Sequence, residues 1–307
     1  MRLIKPSFSI WDQQEGLEGI YKQIERAGRV CYKSEDKITE DSAKDFVDRM
    51  IKLGHGAMLE HGTVYLKIPF GKMLDNGEFE NEALACWFVD NPYSWVKTGG
   101  VGMEDCWYVT SNYRVLIEKD LLHTLQYLCE PTEFHEKRIT VHFVCDRGVS
   151  HEFVRHRVMS FAQESTRYCN YSKDKFGNEV TFIEPCWLED YNYEGNTYYN
   201  GFLVALRAAE ANYFDLMKKW EDRIPDKRYK TGFRNNPWTP QQARAVLPNS
   251  LKTELVMTGF VSDWEHFFKL RDAGSAHPQA RELAHPLHME FLRRNYLVDL
   301  YDEANPD

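Results

Sequence analysis

The order of helical and strand-like patterns along the chain is the feature that most limits its fold. Residues 138–145 place Ile139, Val141 and Phe143 at every second position, which predicts a strand with one buried face. A helical pattern follows at 149–157, but the chain as a whole does not repeat strand–helix–strand units. Because a doubly wound parallel sheet requires that repeat, we expect an α+β fold with a mixed, mostly antiparallel sheet and packed helices.

Further elements follow from hydrophobic periodicity and from residues that cap helices. Thr39 is expected to cap a helix that runs to Leu53, and Asp120 to cap another that runs to Cys129. The other expected helices cover residues 12–28, 79–89, 149–157, 198–223, 240–246, 262–271 and 278–295, and the other expected strands cover 63–70, 107–118, 180–183 and 250–258, with a loop at 224–240.

Composition excludes several classes of protein. The 307 residues are 43% hydrophobic and 28% charged, which is typical of a globular chain of one large domain or two smaller ones. No apolar run approaches the roughly 18 residues that would predict a membrane span. The seven cysteines are scattered and form no Cys-x-x-Cys pair, so free thiols in a cytoplasmic protein are expected.

The formal net charge of −9 is distributed unevenly along the chain. Residues 74–107 contain seven acidic side chains and one lysine, whereas residues 223–244 contain six basic side chains and one aspartate. Both runs are typical of solvated surface, although a local basic excess still attracts a small anion because salt screens charges only beyond roughly 8 Å. The negative sum disfavours an extended surface for duplex DNA.

The most unusual stretch is 151–172, which combines cationic and neutral polar side chains. Guanidinium groups bind phosphate or imide oxygens through a planar fork of donors, and hydroxyl and amide groups add neutral donors and acceptors. The cationic members are Arg155, His156, Arg157 and Arg167, and the neutral ones are Ser160, Gln163, Ser165 and Tyr168. The composition fits a site for a phosphorylated ligand and, equally, a helix end whose arginines cover apolar side chains.

The spacing of short motifs argues against metal and dinucleotide sites of the common types. His151 and His156 are five residues apart, so they do not share a helical face as the ligands of a zinc-binding helix do. His285 and His288 flank Pro286 without an evident third ligand, which favours a packing or capping role. Neither a glycine-rich dinucleotide motif nor a P-loop occurs in the sequence, and no metal site is predicted.

The triplet Arg155-His156-Arg157, followed after seven residues by Ser165, resembles the signature of the flavin-dependent thymidylate synthases. Four flanking segments are similar to the family in the same order, at 26–32, 55–61, 244–248 and 270–271. The resemblance covers roughly residues 15–70, 138–185 and 240–295. It implies a single catalytic domain over 1–307, in which about 71–137 form an insertion.

This resemblance implies the fold of the flavin-dependent thymidylate synthases and the reductive methylation of dUMP to dTMP. Members of the family take a carbon from 5,10-methylenetetrahydrofolate and a hydride from NADPH through bound FAD. The resemblance also implies a homotetramer with active sites shared between subunits. The expected partners are therefore small molecules, with no nucleic acid and no membrane among them.

The resemblance assigns roles residue by residue. Arg271 takes the catalytic position, where a guanidinium at N3 and O2 of uracil would stabilise a developing imide anion; an ordinary ion pair with Asp272 is the alternative. The implied dUMP-binding residues are Glu152, Arg155, Gln163, Glu164, Ser165, Thr166, Arg167, Arg244 and Arg271. The implied cofactor-binding residues are His55, Ala57, Glu60, Arg155, His156, Arg157, Val158, Gln163, Ser262 and His266.

Several positions depart from the family pattern. Many members have Asn at the position of His266, several have Arg at that of Ser262, and some have Gln at that of Glu152. Ala57 replaces a hydroxyl residue and Cys31 replaces a serine. These departures concern individual ligand contacts rather than the reaction.

Two other functions are compatible with the same residues. One is an RNA- or single-strand-binding protein that uses 151–172 and 223–244 with interleaved aromatic side chains. The other is an NADPH-oxidising flavoprotein without folate activity. No cysteine matches the pattern of the unrelated cysteine-dependent thymidylate synthases, so no covalent cysteine–uracil adduct is expected, and a nucleophilic Ser165 would need a neighbouring base.

Overall fold

Nine β-strands and ten α-helices form the described part of the chain, residues 1–99, 105–193, 195–218 and 237–297 of a computed structural model. The strands are β1 (Arg2–Ile4), β2 (Ser7–Trp11), β3 (Thr63–Pro69), β4 (Trp95–Gly99), β5 (Cys106–Asn112), β6 (Arg138–Asp146), β7 (Ser160–Gln163), β8 (Thr181–Ile183) and β9 (Lys252–Phe260). The helices are α1 (Gly16–Tyr32), α2 (Ser42–Lys52), α3 (Gly56–Leu59), α4 (Glu82–Val89), α5 (Tyr113–Glu118), α6 (Arg147–Phe153), α7 (Thr197–Met217), α8 (Pro240–Ala243), α9 (Val261–Arg271) and α10 (Pro278–Arg293).

A four-stranded antiparallel sheet in the order β2-β6-β9-β7 carries the segment with the Arg-His-Arg triplet. The alternation predicted for residues 138–145 places Val141 and Phe143 in a core with Trp264 and Phe267 of α9 and with Phe291 of α10. Full burial of side chains of this size stabilises the fold by about 1.5–3 kcal/mol each. This core therefore fixes the position of α9, whose last residue is Arg271.

A second antiparallel sheet, in the order β3-β5-β4, packs with α1, α2, α4 and α5 around a separate core. All seven residues of β5 are buried, and Phe88 of α4 is fully buried in the same cluster as Ile24 of α1. Residues 71–137 thus supply two of the three strands and two helices of this unit. Their status as an insertion relative to shorter relatives stays a prediction.

The smallest sheet pairs β1 with β8, and it is the only parallel pairing among the described residues. Phe182 of β8 packs with Leu206 and Tyr213 of α7 in a third core. The predicted α+β class with mostly antiparallel pairing is confirmed. Within the described ranges, no helix combines the length and apolar character that crossing a bilayer requires.

One strand prediction and two capping predictions were wrong. The strand predicted over 107–118 ends at Asn112. The side chain of Asn112 accepts a hydrogen bond from Val115 N at 3.2 Å and thereby caps the N-terminus of α5. Asp120 has a left-handed backbone (φ 57°), so a short 3₁₀ turn at Leu122–Tyr127 replaces the helix expected there. Helix α2 begins at Ser42 rather than after Thr39.

The other expected elements occur with displaced ends. Helix α1 begins and ends four residues later than predicted, at Gly16 and Tyr32, and the strand predicted at 250–258 extends to Phe260. Most of the expected loop at 224–240 and of the basic run at 223–244 lies outside the described residues. The helix predicted to reach 223 ends earlier, at Met217, because Lys218 has an extended backbone. Short elements with little periodicity were not predicted, namely β1, β2, β4, β7 and α3.

Candidate active site

The Arg-His-Arg triplet lies in the turn between α6 and β7. Helix α6 ends at Phe153, and backbone hydrogen bonds from His156 to Phe153 and from Met159 to His156 then reverse the chain. The expected helix to Arg157 was therefore wrong at its C-terminal end, because β7 must return antiparallel to β9. The reversal leaves Arg155 and Arg157 exposed while His156 is buried.

Arg271 is held by three hydrogen bonds at the C-terminal end of α9. Its Nη1 donates to Glu152 Oε2 at 2.6 Å, and its Nη2 donates to the backbone oxygen of Glu152 at 2.8 Å. Its Nε donates to His156 Nε2 at 3.2 Å. The side chain of Arg271 is only 16% exposed, so these contacts fix the plane of the guanidinium group in the free chain.

His156 is the neutral partner in this group. Burial lowers its pKa to about 4, and the nearby Arg271 and His266 lower it as well. Its ring packs against Phe267, with a centroid distance of 5.0 Å, and against His266 at 5.7 Å. Since Nε2 accepts from Arg271, the hydrogen-bond network assigns the ring proton to Nδ1. A neutral imidazole can therefore support the guanidinium without repelling it.

Asp272, the next residue, has different partners. Its carboxylate contacts Nδ1 of His285 at 3.0 Å and Nδ1 of His288 at 2.9 Å, which ties the end of α9 to α10. An ion pair between Arg271 and Asp272 is therefore not the arrangement adopted. The structural role expected for the two histidines is confirmed.

A second group of predicted site residues follows β7. Thr166 is buried, and its hydroxyl accepts a hydrogen bond from Arg244 Nη1 at 2.8 Å. Ser165 Oγ accepts a hydrogen bond from the backbone nitrogen of Arg167 at 3.3 Å. Among the described residues, no base lies within hydrogen-bond distance of Ser165 Oγ, so nothing in this part of the chain activates it as a nucleophile.

Gln163 lies between the two groups. Its Nε2 donates to Ser150 Oγ of α6 at 2.9 Å and to Thr253 Oγ1 of β9 at 3.2 Å. This side chain connects the end of β7 to the helix that carries Glu152. In the described ranges, however, no hydrogen bond or ion pair joins Arg271 directly to Arg244 or Thr166.

The remaining arginines of the signature region are exposed. Arg155, Arg157 and Arg167 make no ion pair with any described residue, and Arg167 lies over the ring of Tyr168 at 5.6 Å from its centroid. Exposed guanidinium groups without a carboxylate partner remain available to an anionic ligand.

The predicted cofactor positions occupy three places. Val158 and His266 are exposed beside the Arg-His-Arg turn, and the rings of His266 and His156 are in contact. Ser262 lies in the first turn of α9, where its backbone nitrogen donates to Glu136 Oε1 at 3.0 Å.

The third place is around α3. His55 precedes this helix and contacts the hydroxyl of Tyr32 through Nδ1 at 3.4 Å, and Ala57 is exposed on its first turn. Glu60 follows the helix and accepts a hydrogen bond from Arg114 Nη1 at 2.6 Å. Glu60 is therefore already paired in the free chain.

Sequence reasoning missed an ionic network on β9. Glu254 accepts from Lys33 Nζ at 2.9 Å and contacts His142 Nε2 at 2.9 Å, while Lys252 bridges Glu254 and Glu164. Burial opposes ionisation, yet the hydrogen bond from His142 and the two lysine charges hold the pKa of Glu254 well below its usual range. Lys252 and Glu254 are two residues apart and therefore lie on the same face of an otherwise apolar strand. This spacing was the signal that sequence reasoning missed.

This network also decides the position of one predicted ligand residue. Glu164 is 2% exposed, accepts from Lys252 Nζ at 2.8 Å, and accepts from the hydroxyl of Tyr171 at 3.3 Å. The side chain of Glu164 therefore faces the interior, whereas its neighbours Ser165 and Arg167 belong to the group of site residues that contains Thr166 and Arg244.

Five of the seven cysteines lack the properties of nucleophiles. None of the seven forms a disulfide, and burial raises the pKa of Cys31 and Cys129 to about 11 and that of Cys169 to about 12. Burial also raises the pKa of Cys145 and Cys186. These thiols stay protonated at neutral pH and are poor nucleophiles. In the described part of the chain, no cluster of three or more His, Cys, Asp or Glu side chains could hold a metal ion.

Comparisons with known proteins agree with the signature. A family model described as thymidylate synthase complementing protein matches residues 118–294, which is more than half of the chain. The matched range includes the Arg-His-Arg turn, Ser165, Arg244 and Arg271. It does not include the similar segments at 26–32 and 55–61.

Individual relatives match over shorter ranges. A flavin-dependent thymidylate synthase from Mycolicibacterium gilvum (strain PYR-GCK) is 33% identical over 148 residues, 48% of this chain and 53% of that protein. One from Mycolicibacterium vanbaalenii is 33% identical over 161 residues, 52% of this chain and 57% of that protein. The chain thus spans about half the length of the curated relatives it matches.

A solved structure is similar over a longer range but more distantly. It is a UMP/dUMP methylase, PolB from Streptomyces cacaoi bound with 5-Br dUMP, which covers 95% of this chain and 93% of its own at 16% identity and a TM-score of 0.39. The family assignment rests on the family model and on the residues it matches. The chain belongs to the thymidylate synthase complementing protein family, to which the flavin-dependent signature at Arg155–Ser165 had pointed.

Proposed function

We propose that this chain is a flavin-dependent thymidylate synthase, which converts dUMP to dTMP with 5,10-methylenetetrahydrofolate, NADPH and FAD. In the balanced reaction, C5 of uracil forms a bond to the methylene carbon and loses its proton. Both bonds from that carbon to the folate nitrogens break, and the two nitrogens take up two protons. A hydride that originates from NADPH completes the methyl group, so the products are dTMP, tetrahydrofolate and NADP⁺.

The observation that carries this proposal is the fixed guanidinium group of Arg271. Three of its five N–H groups are engaged by Glu152 and His156, which leaves one N–H on each terminal nitrogen. These two remaining donors suit O2 and a deprotonated N3 of uracil. Because negative charge on that edge is conjugated with C5, its stabilisation by Arg271 makes C5 a better nucleophile.

The phosphate of dUMP is assigned to Arg167 and Arg244. A phosphate dianion requires cationic donors, and both side chains are exposed next to Ser165 and Thr166. Arg244 is oriented by the hydroxyl of Thr166, whereas Arg167 is free to turn toward the ligand. The other proposed dUMP contacts are Glu152, Arg155, Gln163, Ser165 and Thr166, with Arg271 at the uracil ring. Because the carboxylate of Glu164 is engaged by Lys252 and Tyr171, this residue would contribute only its backbone.

The residues of the Arg-His-Arg turn fit an FAD molecule. Arg155 and Arg157 are exposed cations that suit a pyrophosphate, and Val158 with His266 offers an apolar edge and a ring. When bound, FAD supplies the hydride-transfer chemistry that side chains cannot provide. The other residues proposed to hold it are His55, Ala57, Glu60, His156, Gln163 and Ser262.

We place the complete site between subunits of a homotetramer. The resemblance to the family implies this arrangement, and it is compatible with Arg271 and Arg244 belonging to separate hydrogen-bond networks within one chain. Light scattering after gel filtration should give the mass of a tetramer, and full activity in a monomeric fraction would contradict the shared site. Seven cysteines that form no disulfide favour a reducing, cytoplasmic location.

The test is a visible spectrum of the purified protein followed by product analysis. We expect flavin absorbance to elute with the protein. We also expect dTMP to form only when dUMP, methylenetetrahydrofolate and NADPH are all present. A protein that stays colourless after addition of FAD and forms no dTMP contradicts the proposal.

The same experiment separates the two alternatives. NADPH oxidation by a yellow protein that forms no dTMP would identify a flavoprotein without folate activity. A colourless protein whose affinity for single-stranded oligonucleotides falls steeply with salt would identify a nucleic-acid-binding protein.

A further inference from the structure

A cavity of about 580 Å³ lies between the end of α3, helix α4 and helix α5. Its volume falls in the range of roughly 300–1,000 Å³ that small-molecule sites occupy. Apart from Glu60, none of its wall residues has a role in the site proposed above. Most of the wall comes from residues 83–93 and 112–119, which form part of the insertion-like segment.

The cavity has an aromatic wall. Trp87 on α4 is 58% exposed, and Tyr93 in the following turn is 44% exposed. The same face of α4 exposes Ala83 and Cys86, which also line the cavity. Large aromatic rings left in contact with solvent at a concave surface provide a platform on which a planar ring can stack.

Three polar side chains in the wall have unused hydrogen-bonding capacity. Asn112 is 1% exposed, and its Oδ1 caps α5, but its amide NH₂ group has no partner among the described residues. Asp90 and Lys119 line the same cavity, and their side chains make no hydrogen bond or ion pair within the described ranges. The wall thus offers a neutral donor, an anionic acceptor and a cation.

The other three charged side chains at the cavity are paired with one another instead. Arg114 donates to Glu60 at 2.6 Å and to Glu118 at 2.7 Å, so these three side chains neutralise each other in part and hold α3 against α5. They form a rigid side of the cavity rather than its ligand-binding groups. Recognition therefore falls to Asn112, Asp90 and Lys119.

We propose that this cavity binds a planar, amino-substituted heterocycle of the purine or pterin type that carries an anionic tail. The ring stacks on Trp87, a ring carbonyl or nitrogen accepts from Asn112, and the exocyclic amino group donates to Asp90. Lys119 meets the anionic tail. Under the proposed function both the folate and NADPH carry such a ring, and the inference rests on that function only for the choice of these two sources.

Isothermal titration of the full chain with two unreactive probes tests the site. 5-Formyltetrahydrofolate represents the pterin source, and adenosine 2′,5′-bisphosphate represents the purine source. We expect one of them to bind, and we expect Trp87→Ala and Asp90→Asn each to weaken its affinity about tenfold, as loss of a stacking platform or a charged acceptor does. Trp187→Ala, at another exposed tryptophan that is 39% exposed, is the matched control and should bind like wild type.

Several results would overturn the inference. One is the absence of binding by either probe, and another is unchanged affinity in both variants. A third is a change of oligomer mass in Trp87→Ala with unchanged probe affinity, since that would make the face an interface between copies of the chain. Failure of dTMP formation in the wild type, with probe binding intact and lost in the variants, would refute the proposed function but support the cavity.

Discussion

The two sets of arginines at the candidate site differ in how far the protein positions them before any ligand arrives. Arg271 is 16% exposed and is held by Glu152 and His156. Arg155 and Arg167 are exposed and have no ion-pair partner among the described residues. A fixed group stabilises charge that develops during a reaction without a cost of reorganisation, whereas a loose group contributes charge and affinity.

This difference separates two roles within one site. We expect Arg271 to act mainly on the rate of the chemical step, and the exposed arginines to act mainly on substrate affinity. Changes that remove or loosen Arg271 should therefore lower kcat, and changes at the exposed positions should raise KM. The following variants test this division, starting with the largest effect.

Arg271→Ala should have the largest effect. Loss of one preorganised donor to a developing oxyanion commonly lowers kcat by about 10²–10³-fold, so dTMP formation should fall by that amount. FAD should remain bound, because Arg271 itself is not among its proposed contacts. Steady-state dTMP formation and the flavin spectrum measure the two properties on one preparation.

The control for this variant is Arg293→Ala. Arg293 is also at the end of a helix and is paired to a carboxylate, that of Glu290, but it is 70% exposed and far from the Arg-His-Arg turn in sequence. It should retain wild-type turnover. Equal losses in both variants would show that the effect of Arg271→Ala is not local.

His156→Gln should change the pH dependence of stability. The pKa of His156 is lowered from 6.5 to about 4, so the unfolded chain takes up a proton at this position over a range in which the folded chain does not. Stability from this group is therefore present above pH 6.5 and is lost as the pH falls toward 4, by about 3 kcal/mol.

Glutamine does not titrate, and its amide oxygen can still accept from Arg271. Urea unfolding between pH 7 and pH 4 should show a shallower loss of unfolding free energy in His156→Gln than in wild type. His151→Gln, at an exposed histidine, should follow the wild-type curve. Parallel curves for wild type and His156→Gln would show that His156 titrates normally in the folded chain.

Arg167→Ala should raise the KM for dUMP about tenfold and leave kcat within a factor of about three. A charged hydrogen bond to phosphate contributes about 1.5 kcal/mol or more, and an exposed side chain affects stability by less than about 0.5 kcal/mol. Lys173→Ala, a nearby exposed cation, should leave KM unchanged. A loss of kcat with unchanged KM in Arg167→Ala would place this residue in the chemical step.

Thr166→Val should have a smaller effect of the same kind. It removes the hydroxyl that accepts from Arg244 at 2.8 Å while the volume of the side chain is retained. Since one neutral-to-charged hydrogen bond is lost, the KM for dUMP should rise about fivefold. The double variant Thr166→Val with Arg244→Ala should have the same KM for dUMP as Arg244→Ala alone. Additive increases in KM would show that Thr166 does not act through Arg244.

Cys31→Ser should have the smallest effect. Cys31 takes the place of a serine in the family pattern, and burial raises the pKa of its thiol to about 11, so it does not supply a thiolate. Turnover should stay within a factor of about two, and mass spectrometry of trapped enzyme should show no cysteine–uracil adduct. An adduct on any of the seven cysteines would overturn the assignment of the chemistry.

The sequence predicted elements with strong periodicity and failed where a single side chain or backbone angle decided the structure. The alternation at Ile139, Val141 and Phe143 correctly predicted a strand. After Asn112 a strand was expected, but one capping hydrogen bond begins a helix there instead. The left-handed backbone at Asp120 cannot be predicted from hydrophobic periodicity. Short strands such as β7 have too few residues for a pattern.

The candidate site shows the same division. The signature named Arg271 and His156, but their contact joins residues 115 positions apart, and only tertiary packing of α9 on the central sheet creates it. Arg271 pairs with Glu152 rather than with Asp272, and this choice likewise depends on the position of α6. The network around Glu254 could have been suspected from Lys252 and Glu254 on one strand face, although its partners Lys33 and His142 could not.

Release of tritium from C5-labelled dUMP, measured side by side in wild type, Arg271→Ala and Arg167→Ala, tests the central claim most directly. With methylenetetrahydrofolate, NADPH and FAD present, wild type should release tritium. Arg271→Ala should lose about 10²–10³-fold in kcat with FAD bound, whereas Arg167→Ala should keep kcat and require more dUMP. Wild-type kcat in Arg271→Ala would contradict the account.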